Sequence, residues 1–373
     1  MNRFNLLQKT KRLVIKVGSG LLTNETGPNL DYLKELTNLI DNFRQGGFEC
    51  VLVSSGAVAC GMATLRLAKK PTDIAKKQAV ASVGQPILIK HYSDLFTSQG
   101  TLVGQVLLTR ADLENRHRFL NARHALAELL KDKILPIVNE NDSVAVEEIQ
   151  FGDNDQLSAM VAHLVDADLL LILTDIDGLY DVNPKKSKNA KRLSVVEKIE
   201  QSHLDSAEGT STIQGTGGMI TKLKAAQQAA LYGIATWILD GKTISLADKV
   251  RSGADIGTLF LAQEEALSSR KYWIGVASKT KGSLIVDEGA IDALINKKKS
   301  LLPSGIKQIE GHFEIGDPLE IKSESGKIIA KGLVNYSSSE LNKIKGIKSS
   351  EIEPVLGYKY VDEIIHRDDL VIL

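Results

Sequence analysis

Two glycine-rich segments, each close to a lysine, contain the residue types that bind phosphate. The first, Gly-Ser-Gly at 18–20, follows the apolar run Leu13–Val17, in which Lys16 is a charge that is costly unless it meets an anion. The second, Gly-Thr-Gly-Gly-Met at 215–219, precedes a helical pattern that carries Lys222. Glycines at the start of a helix expose backbone N–H groups to an anion. Two lysines at one phosphoryl group would stabilise the charge that develops during its transfer.

Other interpretations of these segments remain open. Each glycine segment alone is also typical of an ordinary tight turn, and Lys16 could extend to water from the end of its strand. Gly241-Lys242-Thr243 is similar to the end of a P-loop, but Thr236 stands where the required glycine should be. No Gly-x-Gly-x-x-Gly segment follows the first predicted strand, so a dinucleotide-binding fold is not supported.

Acidic and amide residues follow predicted strands or precede a predicted helix. They are Asn139-Glu140-Asn141-Asp142 after Ile134–Val138, Gly152 to Asp155 before a helix that we place near Gln156, and Thr174-Asp175 after Leu169–Leu173. Such groups bind an ammonium group, orient lysines or ligate magnesium through water. Capping of the helix by Asp153 or Asp155, and a simple turn at Thr174-Asp175, are the alternatives.

Other kinds of catalytic site have little support in the sequence. The seven histidines show no metal-ligand spacing, and Val53–Ala57 lacks the glycine that a serine-nucleophile elbow requires. The residues alone therefore indicate an anion-binding α/β enzyme, with phosphoryl transfer as the chemistry that fits best. They do not name a substrate.

Short apolar runs alternate with amphipathic segments from residue 12 to about 262. Strands that are apolar on both faces and separated by helices are typical of a parallel sheet covered on both sides. Ligands of such sheets bind beyond the carboxyl ends of the strands. The predicted strands are Leu13–Val17, Cys50–Val53, Leu102–Leu108, Ile134–Val138, Leu169–Leu173 and Thr236–Leu239, and the predicted helices include 30–43, 122–130, 155–164 and 219–231.

The pattern changes near residue 265, after which short strands are separated by glycines. One helix is predicted at Gly289–Lys298, and turns are predicted at 310–313 and 315–318. Short, closely spaced strands are typical of a small β-rich module. We therefore expect a catalytic domain at 10–264, a linker at 265–277 and a second domain at 278–373.

The composition is that of an ordinary globular protein, with 43% hydrophobic and 25% charged residues among 373. Lysine plus arginine and aspartate plus glutamate each number 46, so net charge gives no general attraction to nucleic acid or anionic membrane. The two cysteines lack the spacing of a metal or redox motif. Neither a signal peptide nor an apolar run of about 18 residues is present, so we expect a cytoplasmic protein without a membrane span.

Several motifs occur in an order that is similar to a known family. They are Lys16-Val17-Gly18-Ser19, Val53-Ser54-Ser55-Gly56-Ala57, Asn139-Glu140-Asn141-Asp142, Phe151-Gly152-Asp153-Asn154-Asp155, Thr174-Asp175 with Gly178-Leu179-Tyr180, and Gly215-Thr216-Gly217-Gly218-Met219 with Lys222. The set resembles the amino acid kinase family and is specific to its glutamate 5-kinase branch. The resemblance implies an α/β sandwich with a mainly parallel central sheet, followed by a small β-rich PUA-like domain. It also implies ATP-dependent phosphorylation of the γ-carboxylate of L-glutamate, the first step of proline biosynthesis.

The resemblance implies a role for individual residues. Lys16, Lys222 and Asp155 would be catalytic, with Asp155 orienting the two lysines. The glutamate site would comprise Ser55, Gly56, Asp142 and Asn154, with Asp142 opposite the α-ammonium group. The ATP site would comprise Lys16, Gly18, Ser19, Thr174, Asp175, Thr216, Gly217, Gly218, Met219 and Lys222. Magnesium would arrive with ATP and be held mainly by the phosphates.

The same resemblance implies feedback inhibition by proline, homo-oligomers and, as an open question, transfer of the acyl phosphate to a glutamyl-phosphate reductase. PUA folds are associated with RNA-modifying enzymes. Residues 281–373, however, contain 13 Lys/Arg and 15 Asp/Glu, a net charge of −2. An RNA-tracking surface needs a basic footprint, so we expect a regulatory or assembly role for this domain instead.

Three rival interpretations follow from the sequence. A kinase of the same family could act on another acid, such as acetylglutamate or aspartate, and a panel of substrates would separate these. An RNA-binding protein driven by its C-terminal domain would bind RNA in a salt-sensitive way. A catalytically silent amino acid sensor is disfavoured, because both lysines and all the acidic clusters are present.

Overall fold

The computed structural model describes residues 3–24, 27–145, 154–184, 187, 189–207, 218–243, 245–263 and 279–373. The chain forms two compact units, one of Met1–Leu113 with His117–Ala266 and one of Leu267–Leu373 with Glu114–Arg116. The predicted linker at 265–277 lies outside the described residues. The domain limits at 10–264 and 278–373 therefore stay predictions.

Among the described residues the first unit has ten strands, which include close counterparts of the six predicted apolar runs. They are β1 (Arg12–Val17), β2 (Thr23–Asn24), β3 (Gly27–Pro28), β4 (Glu49–Ser54), β5 (Val103–Leu108), β6 (Leu135–Glu140), β7 (Leu169–Thr174), β8 (Val195–Val196), β9 (Ala235–Asp240) and β10 (Thr258–Phe260). A small antiparallel pair is formed by β2 and β3. The other strands form a sheet in the order β5-β6-β4-β1-β7-β9-β10-β8.

This sheet is parallel from β5 to β9, and β10 pairs antiparallel with β9. The prediction of an α/β unit with a mainly parallel central sheet is confirmed. The antiparallel edge was not predicted, since β10 has only three residues and β8 only two. Runs that short carry too little periodicity to distinguish a strand from a loop.

The helices up to residue 251 lie before or between these strands. They are α1 (Arg3–Lys9), α2 (Ser19–Leu22), α3 (Leu30–Gln45), α4 (Ala57–Thr64), α5 (Ile74–Thr97), α6 (Arg110–Glu114), α7 (Arg116–Lys131), α8 (Asn154–Leu164), α9 (Gln201–Ala207), α10 (Met219–Leu231) and α11 (Leu246–Arg251). Of these, α10 has the predicted bounds, and α8 begins at Asn154, one residue before the predicted range 155–164 and two before the start placed near Gln156. Helices α6 and α7 meet near Glu114–Arg116, which group with the second unit. The long helix α5 was not predicted.

The sheet has a different set of helices on each face. Buried side chains of α3, α5 and α11 share one core with Leu13, Ile15 and Val17 of β1. Side chains of a strand alternate between the two faces, so Lys16 points to the opposite face. On that face α8 packs against β1, β4 and β7, and α10 packs against α8 and β9.

Parallel register brings the polar ends of four strands to one edge of the sheet. Val17 of β1 is level with Ser54 of β4 and Leu173 of β7. Val53 of β4 is level with Val138 of β6, which precedes Asn139 by one residue. The segments that we singled out in the sequence therefore share the carboxyl-terminal edge, where parallel sheets bind ligands.

Two glycines allow α4 and α5 to approach each other at backbone distance. A Cβ atom at Gly84 would lie 1.8 Å from the carbonyl oxygen of Ala57, and one at Gly61 would lie 1.9 Å from that of Val80. No side chain fits at either position without moving a helix. The packing matters for the edge just described, because α4 begins directly after Ser55 and Gly56.

The second unit forms a separate five-stranded sheet in the order β12-β11-β13-β14-β15. Its strands are β11 (Gly282–Val286), β12 (Ile306–Gly311), β13 (Pro318–Ser323), β14 (Ile328–Leu333) and β15 (Leu370–Ile372), and its helices are α12 (Glu288–Ile295), α13 (Ser338–Ile344) and α14 (Ile352–Leu356). Short 3-10 helices lie at Pro303–Gly305, Ser349–Glu351 and Arg367–Asp369.

The β-rich character of this unit is confirmed, with two local corrections. The helix predicted to reach Lys298 ends at Ile295. The predicted turn at 310–313 is wrong in its first half, because β12 continues through Glu310 and Gly311. Among the helices that the structure describes, none combines the length and the apolar character needed to span a membrane.

We expect Gly84→Ala to lower the free energy of unfolding by about 1–3 kcal/mol, the usual cost of overpacking a tight contact. Thermal unfolding of the full-length protein would measure this change. Gly289→Ala is the matched control, because Gly289 lies in α12 and a Cβ there would meet only the Asp287 side chain, at 3.4 Å. Equal melting temperatures for the two variants would contradict the close packing of α4 on α5.

Candidate active site

Lys16, Asp155 and Lys222 form a buried ion cluster on the α8–α10 face of the sheet. Lys16 Nζ donates to one carboxylate oxygen of Asp155, and Lys222 Nζ lies 3.2 Å from the other. Asp155 lies in the first turn of α8 and Lys222 in the first turn of α10. The packing of these two helices therefore brings together residues that are 67 positions apart in the chain.

The cluster is almost completely removed from water. Asp155 is 0% exposed, Lys16 4% and Lys222 5%. Burial by itself raises the pKa of the Asp155 carboxyl, but the charges of Lys16 and Lys222 and hydrogen bonds from Lys16 and Thr221 outweigh it, so the pKa is lowered. The Thr221 hydroxyl lies 2.8 Å from Asp155 Oδ2. Asp155 is thus held as a carboxylate between two ammonium groups.

The predicted phosphate-binding glycines lie next to this cluster where they are described. Gly18 directly follows β1 and caps α2, which begins at Ser19, and its N–H donates to the carbonyl of Leu173 at 3.2 Å. A Cβ at Gly18 would lie 3.9 Å from Lys16 Nζ. Gly218 caps α10 without a side-chain hydrogen bond, and Met219 is the first, buried residue of that helix. Thr216 and Gly217 lie outside the described residues.

Asn154, the residue before Asp155, joins a second group of polar residues. Its Nδ2 lies 2.9 Å from the carbonyl oxygen of Ser54, 3.0 Å from Ser55 Oγ and 2.9 Å from Asn139 Oδ1. Gly56 caps α4 at φ 109°, a left-handed conformation that favours glycine, and no side chain caps that helix. Among the described residues no side chain accepts from the first N–H groups of α4, at the edge where Ser55 lies.

Asp142 lies in a pocket beside this group. The pocket is lined by Ala57 at the start of α4, Ala81, Ser82 and Gln85 of α5, Leu107, and residues 140–143 after β6. Burial raises the pKa of the Asp142 carboxyl to about 6, opposed by a smaller effect of the Lys70 charge. Among the described residues no cation forms a salt bridge with Asp142, so this carboxylate is available to a positively charged ligand.

Thr174 and Asp175 end β7 at the same edge. The carbonyl oxygen of Thr174 accepts from the N–H of Gly241 at 2.8 Å, and its hydroxyl lies 3.2 Å from Asp175 Oδ1. Thr174 is buried and Asp175 is exposed. Neither bonds to the Lys16–Asp155–Lys222 cluster in the contacts that the structure records, so their role in nucleotide binding remains a prediction.

Three residues of the site were not singled out in the sequence. Gln85 accepts a hydrogen bond from Asn139 Nδ2 at 2.8 Å. The hydroxyl of Tyr92 lies 2.8 Å from the hydroxyl of Ser54. The hydroxyl of Thr221 donates to Asp155. Gln85 and Tyr92 belong to α5, the helix that was not predicted. Thr221 precedes Lys222 by one residue, and that proximity was the only sequence signal for it.

Metal binding by side chains alone has no candidate in the part of the chain that the structure describes. No three His, Cys, Asp or Glu side chains come together there in a way that could hold an ion. The cluster of Lys16, Asp155 and Lys222 instead offers two cations beside backbone N–H groups, an arrangement suited to phosphate oxygens.

Comparison with known proteins places this site in a family. Residues 11–240 match the Amino acid kinase family, which is more than half of the chain. The chain belongs to the amino acid kinase family. Residues 282–356 match the PUA domain, in agreement with the separate β-rich second unit of this family member.

Relatives of this amino acid kinase match it over nearly its full length. "Glutamate 5-kinase" of Syntrophotalea carbinolica is 49% identical over 370 residues, 99% of each chain. "Glutamate 5-kinase" of Caldanaerobacter subterraneus subsp. tengcongensis is 48% identical over 363 residues, 97% of this chain and 98% of that one. Among solved structures, UMP kinase from Bacillus anthracis aligns with 69% of this chain and 98% of its own at 18% identity, with a TM-score of 0.49.

We expect Asp155→Asn to lower the free energy of unfolding by about 3–5 kcal/mol, because it leaves two buried ammonium groups without their carboxylate. Urea unfolding near neutral pH would measure the loss. Asp94→Asn is the control, since Asp94 pairs with Lys90 on the exposed surface of α5 and such pairs contribute little. Equal stability of the two variants would show that Asp155 does not balance the lysine charges.

The stabilisation by Asp155 also depends on pH in a defined direction. Its folded pKa is lowered, so its contribution is complete above the unfolded value of about 3.9 and is lost as pH falls through the folded pKa. Asp155→Asn should lack this acid-range component. Repeating the urea titrations at decreasing pH below about 4 would therefore bring the two proteins closer together in stability.

Proposed function

We propose that this chain transfers the γ-phosphoryl group of ATP to the γ-carboxylate of L-glutamate and so makes L-glutamyl 5-phosphate, the first step of proline biosynthesis. The observation that carries the proposal is the position of Asn154 and Asp155 in one turn of α8, between the Asp142 pocket and the two buried lysines. Relatives that are 48% and 49% identical over nearly the whole chain are named glutamate 5-kinases, which supports the same acceptor.

The chemistry suits these residue types. The γ-carboxylate of glutamate is ionised at neutral pH, with a pKa of about 4.3, so it attacks phosphorus without a general base. What the protein must supply is alignment of two anions and stabilisation of the charge on the transferred group. Lys16 would contact the transferred phosphoryl group, Lys222 would neutralise charge on the leaving side, and Asp155 would orient both ammonium groups.

The acceptor would lie across Ser55, Gly56 and Asn154, with its α-ammonium group at Asp142. Three features support this placement. Asp142 has no salt bridge among the described residues, the start of α4 offers uncapped N–H groups, and the Asn154 amide is held in one orientation by Ser54 and Asn139. An amino acid that carries both a carboxylate and an ammonium group matches these donors and acceptors.

The donor nucleotide would lie on the other side of the cluster. Family membership implies a kinase that uses ATP. The proposed contacts for its phosphates are Gly18, Ser19, Gly218, Met219 and the two lysines, with Thr174 and Asp175 near the rest of the nucleotide; Thr216 and Gly217 are proposed from the sequence alone. Magnesium would come with ATP and be held mainly by the phosphate oxygens.

The remaining expectations rest on resemblance to the family. Feedback inhibition by proline would act near the glutamate site, and the chain would form homo-oligomers in the cytoplasm. Direct transfer of the unstable acyl phosphate to a reductase is a further proposal. For the PUA domain the net charge of −2 over 281–373 favours a regulatory or assembly role over RNA binding.

We expect Lys16→Ala to reduce turnover by about 10²–10³, the typical loss when one donor to a transition-state charge is removed. Purified protein, ATP, magnesium and L-glutamate in hydroxylamine would form γ-glutamyl hydroxamate, which reports the acyl phosphate. N-acetylglutamate and aspartate in parallel would identify the acceptor. Lys90→Ala is the control, since the Lys90 side chain is 72% exposed on α5.

Three results of the hydroxamate assay would each count against part of this proposal. More than about a tenth of wild-type turnover in Lys16→Ala would remove that lysine from the chemistry. Product from another acid but not from glutamate would keep the family and change the substrate. Absence of product from every acid, in protein shown to be folded, would contradict the enzymatic proposal.

We also expect the KM for glutamate to rise as the pH falls through about 6, because the Asp142 carboxyl must be ionised to hold an ammonium group. The charges of glutamate itself do not change between about pH 5 and pH 8, since its carboxyl titrates near 4.3. Asp142→Asn should have a high KM that lacks this pH dependence. A wild-type KM that is independent of pH over this range would contradict the role of Asp142.

A further inference from the structure

Helix α5 contacts the end of β6 and the segment after it through two glutamine side chains. Gln78 Nε2 donates to the carbonyl of Ala145 at 3.0 Å, and Gln85 accepts from Asn139 Nδ2 at 2.8 Å. The two glutamines are seven residues apart and therefore lie on the same face of the helix, two turns from each other. Nothing in the family comparison assigns a role to either side chain.

The orientation of the Gln85 amide follows from its neighbours. Asn139 Oδ1 accepts from the backbone N–H of Glu140 at 2.8 Å, and a backbone N–H can only donate. The other end of the Asn139 side chain must then be its NH₂ group, which donates to Gln85. The atom of Gln85 that faces Asn139 is accordingly its oxygen, Oε1.

The far end of the same chain of amides confirms this direction. Asn154 Nδ2 donates to the carbonyl of Ser54, which can only accept, and the same NH₂ group donates to Asn139 Oδ1. Backbone groups at Glu140 and Ser54 thus impose one polarity on three side-chain amides. With its oxygen used by Asn139, Gln85 is left with its NH₂ group for other partners.

Gln85 lines the pocket of Asp142, which makes its NH₂ group a hydrogen-bond donor for a ligand there. Gln85 and Asp142 both line this pocket. Ala57, the first residue of α4, lines it as well. In the part of the chain that the structure describes, no other residue bonds to the Gln85 amide. The neighbouring residue Gly84 packs directly against the backbone of Ala57, so the α5 backbone at Gln85 is held close to the pocket.

Gln85 and Asp142 therefore offer a neutral donor and an anionic acceptor in the same pocket. An α-amino acid has one carboxylate and one ammonium group on the same carbon atom, which matches that pair. We propose that Gln85 determines specificity by donating from Nε2 to the α-carboxylate of glutamate, while Asp142 holds the α-ammonium group. This inference rests on the proposed function, because it concerns the acceptor of the same reaction.

Gln85→Glu tests the donor without removing the acceptor. The carboxylate keeps an oxygen for Asn139 Nδ2 but places negative charge, in place of NH₂, toward the pocket. We expect the Kd of L-glutamate to rise at least about tenfold, the effect of losing a hydrogen bond to a charged group. Titrations of the full-length protein without ATP, followed by thermal stabilisation, would measure it.

Three ligands separate the α-carboxylate from the rest of glutamate. Glutarate lacks only the ammonium group, and 4-aminobutyrate lacks only the α-carboxylate. Gln85→Glu should raise the Kd of L-glutamate and of glutarate, but the Kd of 4-aminobutyrate should stay equal or fall. Equal weakening of all three ligands, or of none, would overturn the proposal, since Gln85 would then only position Asn139 or would not touch the ligand.

Gln78→Glu is the matched control. The same chemical change on the same face of α5 removes the bond to Ala145, so it should shift all three affinities together without changing their order. Hydroxamate formation by the wild-type protein is measured in parallel. The wild-type protein could form no hydroxamate while Gln85→Glu weakens binding only of ligands with an α-carboxylate. That pair of results would uphold this inference and contradict the proposed function.

Discussion

The candidate site depends on the burial of two lysine ammonium groups against one aspartate carboxylate. Taking a charge out of water costs on the order of several kcal/mol, and only close pairing makes that tolerable. Asp155 supplies one negative charge for the two positive charges of Lys16 and Lys222. One positive charge is therefore left over by this pairing. A phosphate group would balance this charge. The cluster therefore attracts anionic ligands, and the backbone N–H groups beside it can bind them.

The sheet is the reason that such a cluster can form. Lys16 points away from the core of α3, α5 and α11 because its neighbours Ile15 and Val17 point into it. On the opposite face α8 and α10 both begin at the edge where the strands end. Helix starts accept negative charge and expose N–H groups, so Asp155 in the first turn of α8 is favoured there as well.

Much of this arrangement could be predicted from the sequence, because it follows from parallel strands. Once Lys16, Asn139 and Thr174 are assigned to the ends of parallel strands, their common edge follows without any knowledge of side-chain contacts. The pairing of Asp155 with both lysines was expected only from the family resemblance, and the structure shows that contact. In the second unit, Ser337 and Glu340 form a capping box, a local signal that indicates the start of α13.

Other parts could not be predicted, because they depend on contacts between distant residues. Nothing local in the sequence shows that Gly84 faces Ala57, so the role of α5 in lining the pocket was missed. In the sequence Gln85 cannot be distinguished from other polar residues of a helix. Only the structure shows its contact with Asn139, which is 54 positions away. The direction of that amide chain depends on backbone groups of two different strands, Glu140 of β6 and Ser54 of β4.

The first turn of α8 connects the two halves of the site. Asn154 and Asp155 are consecutive residues of a helix, so their side chains diverge by about 100° and face different partners. Asn154 contacts Ser54, Ser55 and Asn139 on the acceptor side, whereas Asp155 contacts the two lysines. A shift of this turn would move both groups together. In the proposed reaction this one turn would set the distance between the acceptor and the phosphoryl group, which an in-line transfer requires to be precise.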